Sequence, residues 1–196
     1  MEFYAGYMDY REGTKFTERM IKEVVKETFS TLEFEIHGHK IDLSKEWARI
    51  PYVDTVKEML DVDVLSATEK EMMEKLDELG VKYEGTNKER LTDSLWKYCR
   101  KQIIGPTWLV DVPKLVSPLS KLKPENPLLT EHVQHIIAGA EMTNGFSELN
   151  DPIDQGSRFE EQRKLIEKGD DEAMMPDLEF VEMLEYGMPP TCGFGF

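Results

Sequence analysis

Cysteines and long apolar segments are scarce in this sequence of 196 residues. The two cysteines, Cys99 and Cys192, are too few for a disulfide scaffold and favour a reducing compartment. No apolar run approaches the ~20 residues that a membrane-spanning helix needs. The first residues, MEFYAGYMDY, contain no basic segment followed by an apolar stretch, so they do not resemble a secretory signal. We therefore expect a cytoplasmic protein with no membrane partner.

Basic residues are also in short supply. The chain has 24 Lys and Arg against 39 Asp and Glu, which gives a formal net charge of -15. Such a charge repels a phosphate backbone, so composition disfavours tight nucleic-acid binding. It suits a cationic small ligand or a metal ion held by carboxylates. The simpler alternative is an acidic surface that has no specific partner.

The period of the apolar pattern changes along the chain. Residues 1–10 alternate and predict a buried strand that runs into a turn at Gly13, and helical spacing follows over 14–29. The segment LEFEIHGHKIDLS predicts a hairpin between 32–37 and 40–43.

The middle of the chain predicts two helices. Ser66 with Glu69 and Thr86 with Glu89 have capping-box spacing, and the first helix should stop at Gly80. Further on, strands are predicted over 107–112, 133–138 and 141–149, a proline-rich loop over 113–127, and helices after Pro152 and Pro176. The tail, PPTCGFGF, looks like a turn. Strand pairs set among helices predict an α+β fold, with an antiparallel β-sheet flanked by helices.

Polar residues recur at two-residue spacing on two of these strands. Asn144, Phe146 and Glu148 should share one strand face, and so should Glu2 and Tyr4. An ammonium group taken out of water needs carboxylates and hydrogen-bond acceptors, which these residues would supply if the strands are neighbours. The alternatives are an exposed polar strand face and, for Tyr4, a core aromatic residue.

Other residue patterns carry weaker predictions. The four histidines fall into two pairs, and no cysteine or acidic cluster completes a zinc spacing with either pair. Ser117 and Ser120, in LVSPLSK, have no His/Asp arrangement to activate them as nucleophiles.

Four segments together resemble the class II lysyl-tRNA synthetases. They are MEFYAGYMDY followed by Thr17-Glu18, SPLSK, AGAEMTNGFSELNDPIDQGSRFEEQ and EYGMPPTCGFGF, in that family's order. The resemblance implies a partial catalytic domain over 1–196, with a helical insertion at about 66–104. It implies ATP-dependent activation of lysine to lysyl-adenylate and transfer to tRNA(Lys). ATP and Mg²⁺ would be the cofactors, and the family's enzymes are homodimers.

The same resemblance implies roles for individual residues. Glu2, Tyr4, Asn144 and Glu148 would contact lysine, with Tyr4 and Glu148 facing its side-chain ammonium, and Phe146 would form a wall of the pocket. Glu141 would bind magnesium and ATP. The family's second metal-binding glutamate stands seven positions earlier, where this chain has Gln134, so the metal site should be weakened. Cys192 stands where the family usually has glycine.

The resemblance also predicts that the chain is truncated. The dimer-interface helix and strand and the α-phosphate arginine would precede Met1, and the γ-phosphate arginine would follow Phe196. The anticodon-binding barrel would also be missing. Because those cations stabilise charge on phosphorus, adenylate formation by this chain alone should be impaired, and tRNA binding should be weak. The alternative is a synthetase-like paralogue, or an acidic α+β module, that binds an amino acid or a protein without catalysis.

Overall fold

The computed structural model describes residues 1–170 and 173–196. Its α-helices are α1 (Tyr10–Phe29), α2 (Tyr52–Leu60), α3 (Glu69–Glu78), α4 (Lys88–Arg100), α5 (Pro152–Glu167) and α6 (Leu178–Glu185). A short 3-10 helix spans Lys114–Val116. The strands are β1 (Glu2–Gly6), β2 (Glu33–Ile36), β3 (His39–Asp42), β4 (Ala48–Pro51), β5 (Thr107–Val110), β6 (Leu122–Lys123), β7 (Asn126–Thr130), β8 (His132–Ile137), β9 (Ala140–Ser147) and β10 (Thr191–Gly195).

Six of the strands form one sheet in the order β1-β10-β9-β8-β5-β4. Neighbouring strands are antiparallel except β4 and β5, which are parallel. The pairs β2–β3 and β6–β7 are separate two-stranded sheets, and β2–β3 is the hairpin that the sequence predicted. The α+β prediction is therefore confirmed, with one parallel pair in an otherwise antiparallel sheet.

The start of the chain differs from the prediction. Gly13 lies inside α1 and not in a turn, and the helix begins at Tyr10 because Asp9 and Glu12 form a capping box. A Cβ on Gly13 would come within 2.3 Å of the Phe194 ring and 3.0 Å of Cys192 Sγ, so glycine allows the helix to lie close against β10. Strand β1 is an edge strand whose residues alternate between exposed and half-buried, and it is not a buried strand.

Both capping boxes predicted for the middle helices were wrong. Helix α3 is capped by Thr68 with Glu71, and α4 is capped by Asn87, whose side chain accepts from the Arg90 amide. Each true N-cap lies one or two residues beyond the predicted serine or threonine. Several residues in each segment can cap a helix, and the packing of the apolar face decides which one does.

The tail is a strand and not a turn. Strand β10 lies between β1 and β9, so the two strands that carry the candidate ligand residues share a sheet but are not neighbours. One face of the sheet packs against α1 and the β2–β3 hairpin, around residues that include Trp47, Trp108 and Phe194. The other face packs against α2, α3 and α4, around residues that include Leu109 and Ile136. At the β1 end of that second face, the Tyr4 side chain is 65% exposed.

Candidate amino-acid site

The strand register places five candidate residues on one face of the sheet. Glu2 pairs with Gly195, which pairs with Asn144, and Tyr4 pairs with Gly193, which pairs with Phe146. Directly paired residues of antiparallel strands project to the same side. Glu148 follows two residues after Phe146, and its amide donates to the Thr191 carbonyl at 2.8 Å. We call this set, Glu2, Tyr4, Asn144, Phe146 and Glu148 around Gly193, the acidic face.

Gly193 forms the floor between the two strands of the acidic face. A Cβ built on it would lie 2.5 Å from Glu148 Oε1 and 2.7 Å from Tyr4 Cε1. The carboxylate of Glu148 and the ring of Tyr4 therefore approach each other over a residue that has no side chain. Any larger residue at this position would push them apart.

The electrostatics of the acidic face favour a cationic ligand. Burial raises the pKa of Glu148 to about 7. The pKa of Tyr4 is raised by burial and by the nearby carboxylates of Glu148 and Glu2. Among the described residues, those paired across β1, β10, β9 and β8 on this face include no lysine or arginine. An ammonium group placed here would supply the missing counter-charge and restore the ionised form of Glu148.

Glu141 lies near the start of β9, before Asn144. It pairs with Ile136 of β8, and a register shift separates this pair from the pair of His135 with Thr143. It forms an ion pair with Arg100 at the end of α4, at 3.1 Å between Nη1 and Oε2. The side-chain oxygen of Gln134 is buried and has no hydrogen-bond partner in the part of the chain described. Together they offer a divalent cation one carboxylate that is already neutralised and one amide oxygen. These residues fit a weak Mg²⁺ site that needs further oxygen ligands, such as those of a phosphate.

A buried polar network lies beside Asn144 and Phe146, on the same face of the sheet. His132, paired with Phe146, hydrogen-bonds Asn144 Oδ1 through Nε2, and its Nδ1 is 2.7 Å from Ser117 Oγ. Ser117 Oγ is 2.5 Å from Ser120 Oγ. The sequence indicated no His/Asp arrangement at these serines; β8 brings His132 to Ser117, and the other partner of the imidazole is Asn144 and not an aspartate. All three side chains are buried, so the group supports Asn144 from the protein interior.

The segment Ser117–Lys121 runs beside the end of β9. The backbones of Ser120 and Glu148 form an isolated antiparallel β-bridge, and the Lys121 amide donates to the Ser147 carbonyl at 2.9 Å. Arg158 of α5, only 2% exposed, donates to the carbonyls of Ser117, Pro118 and Ser120. This contact ties two separate segments, SPLSK and GSRFEEQ, to the acidic face.

Comparisons with known proteins show the family of the chain. The model of the tRNA synthetases class II (D, K and N) matches residues 1–196. The chain belongs to this class II synthetase family. It is 46% identical to the lysine–tRNA ligase of Thermotoga sp. (strain RQ2) over 195 residues, which are 100% of the chain and 39% of that protein. It is 42% identical to the lysine–tRNA ligase of Porphyromonas gingivalis, covering 34% of that protein, and 40% identical to that of Christiangramia forsetii, covering 35%.

The synthetase resemblance inferred from the sequence is therefore confirmed, and none of these matches supports the alternative of a module without catalysis. The chain spans little more than a third of the length of these relatives. The sequence predicted Glu2, Tyr4, Asn144, Phe146 and Glu148 as site residues, and the strand register brings them to one face. It did not single out Gly193, Arg100, Arg158 or the contact of His132 with Asn144. Only Gly193 had a local signal, the alternation of glycine in TCGFG. The prediction of a helical insertion at about 66–104 stays a prediction, although α3 and α4 occupy that range.

Within the ranges 1–170 and 173–196, no helix combines the length and the apolar character needed to cross a membrane. Across the same residues, no group of three or more His, Cys, Asp or Glu side chains is arranged to hold a metal ion.

Proposed function

We propose that this chain is the lysine-recognising part of a lysine–tRNA ligase catalytic domain. The observation that carries the proposal is the meeting of Tyr4 and Glu148 over Gly193, with Glu2 on the same face. The family model covers aspartate, lysine and asparagine enzymes, and these side chains distinguish the three. Two carboxylates would repel the carboxylate of an aspartate ligand. They would form no ion pair with the neutral side chain of asparagine, whereas they would form one with the ammonium of lysine.

Individual roles follow from the geometry and the family. Glu148 and Tyr4 meet the side-chain ammonium, Glu2 adds a second negative charge, and Phe146 packs against the aliphatic part of the ligand. Asn144 binds a polar group nearer the centre of the sheet. A charge-assisted hydrogen bond is roughly twice as strong as a neutral one, so Glu148 contributes most to selectivity.

ATP and Mg²⁺ are used by class II tRNA ligases in general, and we propose that Glu141 and Gln134 face them here. Glu141 and the amide oxygen of Gln134 would hold Mg²⁺ jointly with phosphate oxygens, and the cation would neutralise charge on the nucleotide. Arg100 already neutralises Glu141, so cation binding should depend strongly on a bound nucleotide.

The activity of the longer protein is part of the same proposal. We infer that it activates lysine and transfers it to tRNA(Lys), and that it does so as a homodimer in the cytoplasm. The support is the name of the relatives, lysine–tRNA ligase, together with a lysine-compatible face. The net charge of -15 supports the view that this part of the protein is not its main tRNA contact.

The test is amino-acid binding by the chain, measured by calorimetry at pH 8 with L-lysine, L-aspartate and L-asparagine. We expect binding of lysine alone, and Glu148→Gln should weaken it at least tenfold, since the variant loses a charge-assisted hydrogen bond. Glu33→Gln, an exposed position on β2, is the matched control and should bind like the unchanged protein. Binding of aspartate or asparagine in preference to lysine would refute the proposal.

A further inference from the structure

We propose that His132 is a positioning residue that fixes the side-chain amide of Asn144, so that its NH₂ group points at the ligand. Ser117 in turn fixes the tautomer of His132. This inference deepens the proposed function and rests on it only for the identity of the ligand. The sequence pattern assigned no role to His132, because Ser117 lies 15 residues before it and Asn144 lies 12 residues after it.

The direction of each hydrogen bond follows from the atoms that meet. The Oδ1 atom of Asn144 can only accept, so His132 must donate to it from Nε2. A neutral imidazole that donates from Nε2 accepts at Nδ1, so the Ser117 hydroxyl donates there, at 2.7 Å. Ser120 can then donate to Ser117 Oγ at 2.5 Å. Every member of this network has a hydrogen-bond partner in this arrangement.

The consequence appears on the exposed side of Asn144. Its oxygen accepts from the buried His132 on the same face of the sheet, and its Nδ2 has no partner among the described residues. The two N–H groups of Nδ2 therefore face the open side, where they can donate only to an oxygen or another acceptor. With the His132 proton on Nε2, a flipped amide would present its oxygen to the open side and would bring its NH₂ group against the Nε2–H donor. His132 thus makes Asn144 specific for an acceptor group of the ligand.

The network is anchored by residues outside the acidic face. Arg158 holds the Ser117–Ser120 turn through three backbone carbonyls, the shortest at 2.8 Å to Ser120. The His132 ring also lies edge-on to Phe146, at 5.5 Å between ring centroids. The imidazole therefore cannot swing away from Asn144 without disturbing two packed neighbours.

His135 provides a matched control in the same strand. It is fully buried like His132 but points to the opposite face of the sheet, where it stacks on Trp47 at 4.0 Å. Neither of its ring nitrogens has a hydrogen-bond partner among the described residues. Replacing it removes a buried imidazole from β8 without touching Asn144.

The first experiment reads the tautomer directly and needs no ligand. Long-range ¹H–¹⁵N spectra of the chain at pH 7 should show His132 as a single tautomer with its proton on Nε2. Ser117→Ala should produce a mixture of tautomers, while Ser66→Ala, at a remote serine, should not. A proton on Nδ1 of His132 in the unchanged protein would overturn the proposal, whatever the chain binds.

The second experiment measures binding of L-lysine and of 1,5-diaminopentane, which keeps both amines and lacks the carboxylate. His132→Phe should weaken lysine binding about tenfold, the loss of one hydrogen bond, and leave the diamine unchanged. His132→Gln, which keeps a donor, should restore part of the loss, and His135→Phe should alter neither ligand. Equal losses for both ligands would overturn the positioning role. If the unchanged chain binds no lysine, the proposed function is refuted. The positioning role of His132 is then tested only by the tautomer measurement, which needs no ligand.

Discussion

Tyr4 and Glu148 approach each other from the two sides of Gly193, across a strand that separates the strands carrying them. The ring and the carboxylate come together only because the residue between them has no Cβ. This position thus controls the width of the acidic face, and it can be changed without altering any charged group.

Gly193→Ala should therefore reduce lysine binding strongly while the protein stays folded. The added methyl group would displace the free ends of two side chains and not the backbone, so we expect little change in melting temperature. Lysine affinity, measured by calorimetry, should fall at least tenfold because a small misplacement of a charge-assisted contact removes most of its benefit. Gly6→Ala is the control, since a Cβ there has nothing within 4 Å. Unchanged lysine affinity in Gly193→Ala would contradict the assignment of Tyr4 and Glu148.

Glu148 should make the stability of the chain depend on pH. Burial raises its pKa to about 7 in the folded protein, above the ~4.3 of an unfolded glutamate. The folded state then holds the proton more tightly, so this contribution is complete below the unfolded pKa and is lost as pH rises through 7. Glu148→Gln should melt at a higher temperature than the unchanged protein at pH 8.5 and show a smaller difference at pH 5. The opposite trend in thermal scans would mean that Glu148 is already paired.

Lysine binding should release a proton at pH 6.5. The ammonium favours the ionised carboxylate and lowers the pKa of Glu148, so a proton leaves when the ligand enters. Calorimetry in two buffers of different ionisation enthalpy measures this release, which should vanish in Glu148→Gln. A release that persists in the variant would point to another group.

The sequence predicted correctly which residues share a face of the same strand. It did not predict which strands are neighbours in the sheet or which residues from distant segments come into contact. Alternation placed Glu2 with Tyr4, and Asn144 with Glu148, because a strand's period of two is local. The insertion of β10 between those strands could not be derived in this way, since TCGFG contains two glycines and few β-forming residues. Likewise, the contact of Ser117 with His132 depends on long-range register. The turn predicted at Gly13 was wrong because, in a sequence, a glycine that permits close packing looks the same as one that permits a turn.

Gln134→Glu should strengthen binding of a divalent cation at Glu141. The substitution adds a negative charge, and a unit charge at about 4 Å is worth about 1 kcal/mol even in water, so we expect affinity for Mn²⁺ to rise about tenfold. Arg100→Gln should act in the same direction because it frees the Glu141 carboxylate. Electron paramagnetic resonance of free Mn²⁺ measures both effects. Gln102→Glu, the same charge change at an exposed site, should have little effect, and an equal rise there would assign the gain to net charge alone.

Arg158→Leu should destabilise the chain more than any exposed arginine substitution. The guanidinium is buried and makes a bidentate pair with Asp154, with distances of 2.7 and 2.9 Å, besides its three carbonyl contacts. Its hydrogen bonds hold the pKa of Asp154 below the usual value. Removing it leaves a carboxylate and buried carbonyls without partners, and such losses cost about 3 kcal/mol of unfolding free energy. Urea unfolding measures the change.

Arg163→Leu is the control for this prediction, one helical turn further along α5. Its side chain is 56% exposed and pairs with Glu160 and Glu167, so its loss should cost less than about 1 kcal/mol. The double variant Asp154→Leu/Arg158→Leu should recover part of the stability lost in Arg158→Leu, because it also removes the orphaned carboxylate. The carbonyls of Ser117 and Ser120 would still lack their donor, so recovery should be incomplete. Full recovery would mean that the ion pair, and not the clamp on the Ser117–Ser120 turn, is what Arg158 contributes.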